Sequence, residues 1–72
     1  MKIVIIAGTH REAEDFINKM DFKPSRCNIV HTLTDLEGLN NIKVYSIGTC
    51  HELPEFTRMI DRCDAIRAVQ PS

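Results

Sequence analysis

Two stretches of the chain carry the same pattern. Residues 8–16 read GTHREAEDF and residues 48–56 read GTCHELPEF, so Gly, Thr, Glu and Phe recur at the same offsets without a gap. An apolar run precedes each copy and a helical pattern follows it. The chain is therefore predicted to use a strand–loop–helix unit twice.

The first unit has the clearer pattern. Residues 2–7 are a continuous, mostly β-branched run, which is typical of a central parallel strand covered on both faces. Thr9 and Glu12 have the Thr-x-x-Glu spacing of a capping box, which predicts a helix over about 10–20. Its apolar stripe consists of Ala13, Phe16, Ile17 and Met20. Pro24 prevents the helix from continuing.

The middle of the chain is more polar. Residues 26–32 are predicted to form a second strand at an edge of the sheet, with His31 partly exposed. Thr34 and Glu37 repeat the capping spacing, and Gly38 is a stop signal, so a short helical turn is expected at about 35–37. A third strand is predicted over 42–47.

The last helix is predicted to begin at Pro54, which is favoured at the first helical position, and to end near Ala68. Its stripe is expected to comprise Phe56, Met59, Ile60, Cys63 and either Ile66 or Arg67. Thr49 then cannot cap this helix, and residues 49–53 become a loop.

This β-α-β-β-α order predicts one α/β domain over residues 1–72, a minimal Rossmann-like or P-loop-like fold. Right-handed crossovers and parallel pairing are the expected solution. The first strand is the most apolar and is therefore placed in the middle, which gives a three-stranded parallel sheet of order 2-1-3 with two main helices on opposite faces. Both Gly-Thr loops would then leave the carboxyl ends of neighbouring strands. Open α/β sheets bind ligands at this topological switch point.

Composition narrows the functional classes. Nine basic and ten acidic residues give a net charge of −1, without the basic excess of a nucleic-acid-binding protein. Three cysteines without a CxxC motif indicate a reduced setting, and no apolar run is long enough for a signal peptide or a membrane span. We therefore expect a cytoplasmic protein. Its 72 residues and exposed sheet edges favour a homo-oligomer.

The predicted ligand site draws on both Gly-Thr loops. Glycine, hydroxyl and helix N-terminal N–H groups suit an anion, and basic side chains add charge. The candidate ligand-binding residues are Gly8, Thr9, His10, Arg11, Gly48, Thr49, Cys50 and His51. The alternative is that each loop is simply the way a strand turns into a capped helix. Neither a Walker motif nor G-x-G-x-x-G is present, so P-loop hydrolysis of ATP is not expected.

Fewer residues support a reactive thiol, a metal site or acid/base catalysis. Cys50 beside His51 could be a stabilised thiolate, but a phosphatase-like Cys-x5-Arg is absent, and a small loop thiol is the alternative. His10, Cys50 and His51 supply only three zinc ligands without paired spacing, so no metal site is predicted. No catalytic residue and no cofactor are predicted; an acid/base set of glutamates has no evident burial to shift a pKa. Cys27 and Cys63 are expected in the core.

The chain resembles a set of very short α/β proteins common in phage genomes. The residues that carry the resemblance are 4–9 (VIIAGT), 36–39 (LEGL) and 44–49 (VYSIGT) with Pro54. Those proteins are similar to a P-loop-type fold without its phosphate loop, and most have no assigned function. The resemblance implies a phage origin and a bacterial host cytoplasm. Some phage proteins of this size sequester nucleotide signals of host immunity, which suggests an anti-defence role by analogy.

Three hypotheses follow. The first is a non-enzymatic protein that binds a phosphate-bearing small molecule, such as a nucleotide, in the crevice between the Gly-Thr loops. The second is a protein-interaction module that docks on a host protein and inhibits or redirects it. The third is a small hydrolase that uses Cys50 or His51.

Overall fold

A computed structural model of the protein describes residues 2–68. The strands are β1 (Lys2–Ala7), β2 (Cys27–Val30) and β3 (Ile42–Ile47), and the helices are α1 (His10–Met20) and α2 (Phe56–Ala68). Short 3-10 turns lie at Pro24–Arg26, Leu33–Leu36 and Cys50–Glu52. The predicted helix over 10–20 and the strands over 2–7 and 42–47 are confirmed.

The three strands form a parallel sheet in the order β2-β1-β3, as predicted. Ile5 lies opposite Ile29 of β2 and Tyr45 of β3. The most apolar strand takes the centre because only there are both faces covered. Both edge strands have polar positions, and this agrees with the pattern that predicted the order.

Alternate side chains of β1 enter two separate cores, because successive side chains of a strand point to opposite faces. Val4 and Ile6 join the core beneath α2, whereas Ile5 and Ala7 join the core beneath α1. All four are fully buried. The two helices therefore lie on opposite faces of the sheet, as expected for a crossover after each Gly-Thr loop.

Helix α1 buries Ala13 and Ile17 of its predicted stripe. Phe16 is half-buried and belongs to a ring cluster with Phe22 and Tyr45, whose ring centroids lie 5.4–6.0 Å apart. Met20 is 45% exposed and lies outside this core. The helix ends at Met20, and its C-cap Asp21 has a left-handed backbone (φ 57°) three residues before Pro24.

Helix α2 buries Met59, Cys63 and Ile66, so Ile66 rather than Arg67 completes the predicted stripe. The same core takes Leu36 from the segment between β2 and β3 and Ile42 from the start of β3. No helix within residues 2–68 is both long enough and apolar enough to cross a membrane.

Three predicted boundaries need correction. Strand β2 covers only Cys27–Val30, because the next N–H groups bond to a side chain instead of continuing the ladder. The short turn is Leu33–Leu36 rather than 35–37, because Thr32 and Asp35 form its cap in place of Thr34 and Glu37. Helix α2 begins at Phe56, since a turn closed by the Phe56 N–H on the Leu53 carbonyl contains Pro54.

Candidate functional site

The two Gly-Thr loops pack directly against each other where β1 and β3 end. Ala7 and Ile47, the last residues of the two strands, are register partners. A Cβ atom at Gly8 would overlap the Thr49 hydroxyl, and one at Gly48 would lie 2.5 Å from a Glu12 carboxylate oxygen. Because neither glycine has a Cβ atom, the two loops can pack in contact with each other.

The carboxylate of Glu12 joins the two loops. It accepts a hydrogen bond from the Thr49 N–H at 3.2 Å and one from the Thr49 hydroxyl, whose oxygen lies 3.2 Å from each carboxylate oxygen. The backbone N–H of Glu12 donates to the Thr9 hydroxyl at 3.2 Å, which is the predicted N-cap bond of α1. We call the group formed by Gly8, Thr9, Glu12, Gly48 and Thr49 the Gly-Thr clasp.

The surroundings of Glu12 favour its ionised form. The Thr49 N–H is the main reason that the pKa of this carboxyl lies below its ordinary value of 4.5, and partial desolvation opposes it. The Thr49 hydroxyl and the N–H groups of Thr9 and Gly8 lower the pKa further. Donors from both loops thus converge on one anion, and here the anion is a side chain of the protein.

Thr49 has a different partner from Thr9. As predicted, it does not cap a helix: its side chain makes no capping bond to the 3-10 turn Cys50–Glu52 that follows it. Its hydroxyl donates to Glu12 instead. The two copies of the motif are therefore unequal. Thr9 caps α1, whereas Thr49 binds the Glu12 carboxylate of the other loop.

The basic candidates lie on the surface beside the clasp. His10 and Arg11, in the first turn of α1, are exposed, and His51 is exposed in the turn after Thr49. The Nε2 atom of His10 lies 2.8 Å from the Glu14 carboxylate. Within residues 2–68 Arg11 makes no ion pair, so its guanidinium is available to a ligand.

Cys50 differs from the other candidates, because it is 5% exposed and packs in the core beneath α2. Burial is the main cause that raises its pKa above the ordinary thiol value. This placement is at odds with Cys50 as a ligand-facing or activated residue, since only a lowered pKa favours thiolate. Cys63 lies in the core as expected, whereas Cys27 is only half-buried.

A shared metal site does not form in the described part of the chain. Among residues 2–68 no three side chains of His, Cys, Asp or Glu lie close enough to hold an ion. Of the three candidate ligands, Cys50 is buried, whereas His10 and His51 are exposed.

Sequence reasoning missed a second group of polar contacts, at the carboxyl end of β2. The Nδ1–H of His31 donates to the Ala7 carbonyl at 2.8 Å, since a carbonyl oxygen can only accept. One oxygen of Asp35 accepts the N–H groups of His31 at 3.0 Å and Thr32 at 3.1 Å. The His31 N–H is the largest cause that lowers the Asp35 pKa.

Another acid closes this end of the sheet. Glu55 accepts the Leu33 N–H at 3.3 Å and so ties the 3-10 turn after β2 to the start of α2. Three carboxylates, those of Glu12, Asp35 and Glu55, thus hold the loops that leave the three strands. The predicted Thr34–Glu37 cap is wrong, and the overlooked signal was Thr32 with Asp35, which has the same three-residue spacing.

Two surface depressions of the described residues have linings that include no residue of the clasp. One of about 230 Å³ is at the amino edge of the sheet and is lined by Lys2, Gly38, Leu39, Asn40 and Asn41. The other, of about 410 Å³, is the α1–β2 groove, lined by His10, Glu14, Ile17, Asn18, Pro24, Cys27 and Ile29. The predicted crevice between the Gly-Thr loops is instead filled by Glu12 and Thr49.

Comparisons with known proteins add no family to this description. No protein-family model matches the chain, and searches of curated proteins and of solved structures found no significant match.

Proposed function

We propose that the protein is a non-enzymatic binding protein for a phosphate-bearing small molecule, such as a nucleotide. The observation that supports this is the convergence of hydrogen-bond donors from both Gly-Thr loops on the Glu12 carboxylate. A donor set that holds a carboxylate can also hold a phosphate oxygen, because both anions accept charge-assisted hydrogen bonds. In the proposed complex the phosphate takes the place of Glu12.

The surrounding charges support an exchange of this kind. Arg11, which is exposed and unpaired within residues 2–68, can bind two phosphate oxygens with its planar guanidinium. His10 and His51 lie beside the two loops and add donors. A phosphate group offers more acceptor oxygens than the carboxylate that it displaces, so these side chains gain contacts that Glu12 does not provide.

The state of the thiol supports binding rather than catalysis. Cys50 is buried and its pKa is raised, so a hydrolase built on this thiol lacks an accessible thiolate. The biological use that we propose follows the resemblance to short phage proteins: sequestration of a nucleotide signal in a bacterial host. It requires affinity and no turnover.

Titration calorimetry of the wild type against inorganic phosphate and a panel of nucleotides tests the proposal. We expect binding of at least one nucleotide, and a loss of about tenfold or more in affinity for Arg11→Ala, the range of one charge-assisted contact. Arg58→Ala is the matched control, because Arg58 is an exposed arginine on α2. The proposal fails if no nucleotide binds, or if the two variants lose affinity equally.

A further inference from the structure

The two edges of the sheet differ on the face that α1 covers. Beside β3, the rings of Phe16, Phe22 and Tyr45 fill the space between helix and strand. Beside β2, the space is the open α1–β2 groove, where Cys27 and Ile29 remain half-buried. Residues at the β2 edge thus have apolar surface and, among residues 2–68, one outward row of backbone N–H and C=O groups without a sheet neighbour.

The charges beside this edge have opposite signs at its two ends. Lys23 and Arg26 are exposed immediately before β2, at the amino end of the strand. Asp35 is exposed just after β2 and supplies the acid at the carboxyl end of this edge. Glu14 also lines the groove at this end, where its carboxylate already pairs with His10. A second copy related by a two-fold axis would run antiparallel along β2. Its basic end would then meet the acidic end of the first copy.

We propose that the protein forms a homodimer by antiparallel pairing of β2 with β2 of a second copy. The two three-stranded sheets become one sheet of six strands, and the two α1–β2 grooves close over the central pair of Ile29 side chains. Such an isologous contact satisfies apolar, hydrogen-bonding and charged groups with a single symmetric surface. The basic and acidic ends favour a copy of this chain, because the pattern is complementary to itself.

The small size of the domain favours a dimer. A standard interface buries about 800 Å² on each partner, which is roughly a sixth of the 4892 Å² surface of this chain. A 72-residue domain is also marginal alone, so burying the groove stabilises the fold itself. The Gly-Thr clasp joins β1 to β3, and none of its residues lines the α1–β2 groove. His10 lines the groove and is also one of the proposed ligand contacts, but pairing through β2 does not require a bound ligand.

Sedimentation equilibrium over a range of micromolar concentrations tests this proposal. We expect the wild type to approach twice the chain mass of 8.2 kDa. Ile29→Lys places a charge at the centre of the contact and should sediment as a folded monomer. Ile47→Lys is the matched control: Ile47 is a half-buried isoleucine on the same face of the other edge strand, and this variant should stay dimeric.

A second variant addresses charge rather than apolar contact. Arg26→Glu brings like charges together at both ends of the two-fold contact and should weaken the dimer about tenfold at low salt. High salt should reduce this difference, because exposed charges are screened. Arg58→Glu, on α2, is the control and should leave the dimer unchanged.

Hydrogen exchange tests the dimer with the wild-type protein alone, so the result does not depend on a variant that folds. Amides of Cys27–Val30 should exchange more slowly at high than at low protein concentration, and those of Ile42–Ile47 should not depend on concentration. A monomeric wild type at every concentration overturns the proposal. So does an Ile29→Lys dimer as stable as the wild type, or protection that depends on concentration only in β3.

Discussion

The contact between Gly8 and Thr49 offers a direct test of the Gly-Thr clasp. In Gly8→Ala the added Cβ would overlap the Thr49 hydroxyl, and the carbonyl carbon and oxygen of Thr49 would lie 3.0 Å from it. The hydroxyl would have to rotate away and would give up its contacts with Glu12. The backbone of Gly8 is not left-handed, so alanine adds a steric clash without a conformational penalty.

The magnitude follows from the type of clash. Forcing an extra methyl group into a packed contact costs about 1–3 kcal/mol. For a domain of 60–100 residues each 1 kcal/mol lowers Tm by about 4–8 °C. We therefore expect Gly8→Ala to lose about 2 kcal/mol of unfolding free energy and about 8–16 °C in Tm.

A double-mutant cycle with Thr49→Ala isolates the contact. Removing the hydroxyl leaves only the two backbone atoms at 3.0 Å, which a shift of a few tenths of an ångström relieves. Gly8→Ala should then cost at least about 1 kcal/mol less in the Thr49→Ala background than in the wild type, a coupling typical of residues in contact. Urea unfolding followed by circular dichroism measures all four proteins. Effects that add within about 0.5 kcal/mol would refute the clasp as described.

Four further predictions concern the clasp, its pH dependence and the core. Glu12→Gln should raise the affinity for inorganic phosphate about tenfold, since a neutral amide competes less well for the donors. It should also lower Tm. If calorimetry shows a lower Tm without stronger phosphate binding, the clasp has a structural role only. The pKa values of Glu12 and Asp35 lie below their ordinary values of 4.5 and 3.8 in the folded protein, so both carboxylates stabilise it at neutral pH. This contribution begins to fall near the ordinary values and is lost as the pH falls through the lower pKa values of the folded protein. Urea titrations from pH 7 to pH 3, with Glu12→Gln showing a smaller loss, check the sign. Thr9→Ala should cost about 1 kcal/mol through loss of the N-cap of α1, and Thr9→Ser should restore most of it. Met59→Ala should cost about 2–5 kcal/mol, because Met59 is fully buried, whereas truncation of the exposed Met20 should cost far less.

Local signals predicted the fold well because each element has a clear pattern of its own. The β-branched run of β1 requires cover on both faces, and the stripe that includes Ala13 and Ile17 requires one face of a helix to be buried. These patterns, with right-handed crossovers, leave few arrangements other than β2-β1-β3. Phage origin and the nucleotide ligand stay predictions.

The candidate site was predicted less completely, because its contacts join residues far apart in the chain. Glu12 was interpreted as a local capping residue, but its carboxylate binds Thr49, 37 positions away. Cys50 was grouped with its neighbour His51, but the 3-10 turn buries the thiol and exposes the imidazole. Neighbours in sequence can lie on opposite sides of a turn, and spacing alone does not show which side is buried.

The repeated Gly-Thr motif shows which features follow from the sequence alone and which depend on the tertiary structure. The residues alone were enough to place both copies at strand ends, because apolar runs, glycine stops and helical stripes are local properties of the chain. That the copies touch, and that Glu12 fills the space between them, depends on β1 and β3 being neighbours in register. Parallel pairing brings distant loops to one edge of the sheet, and the close approach then decides which donors and acceptors meet.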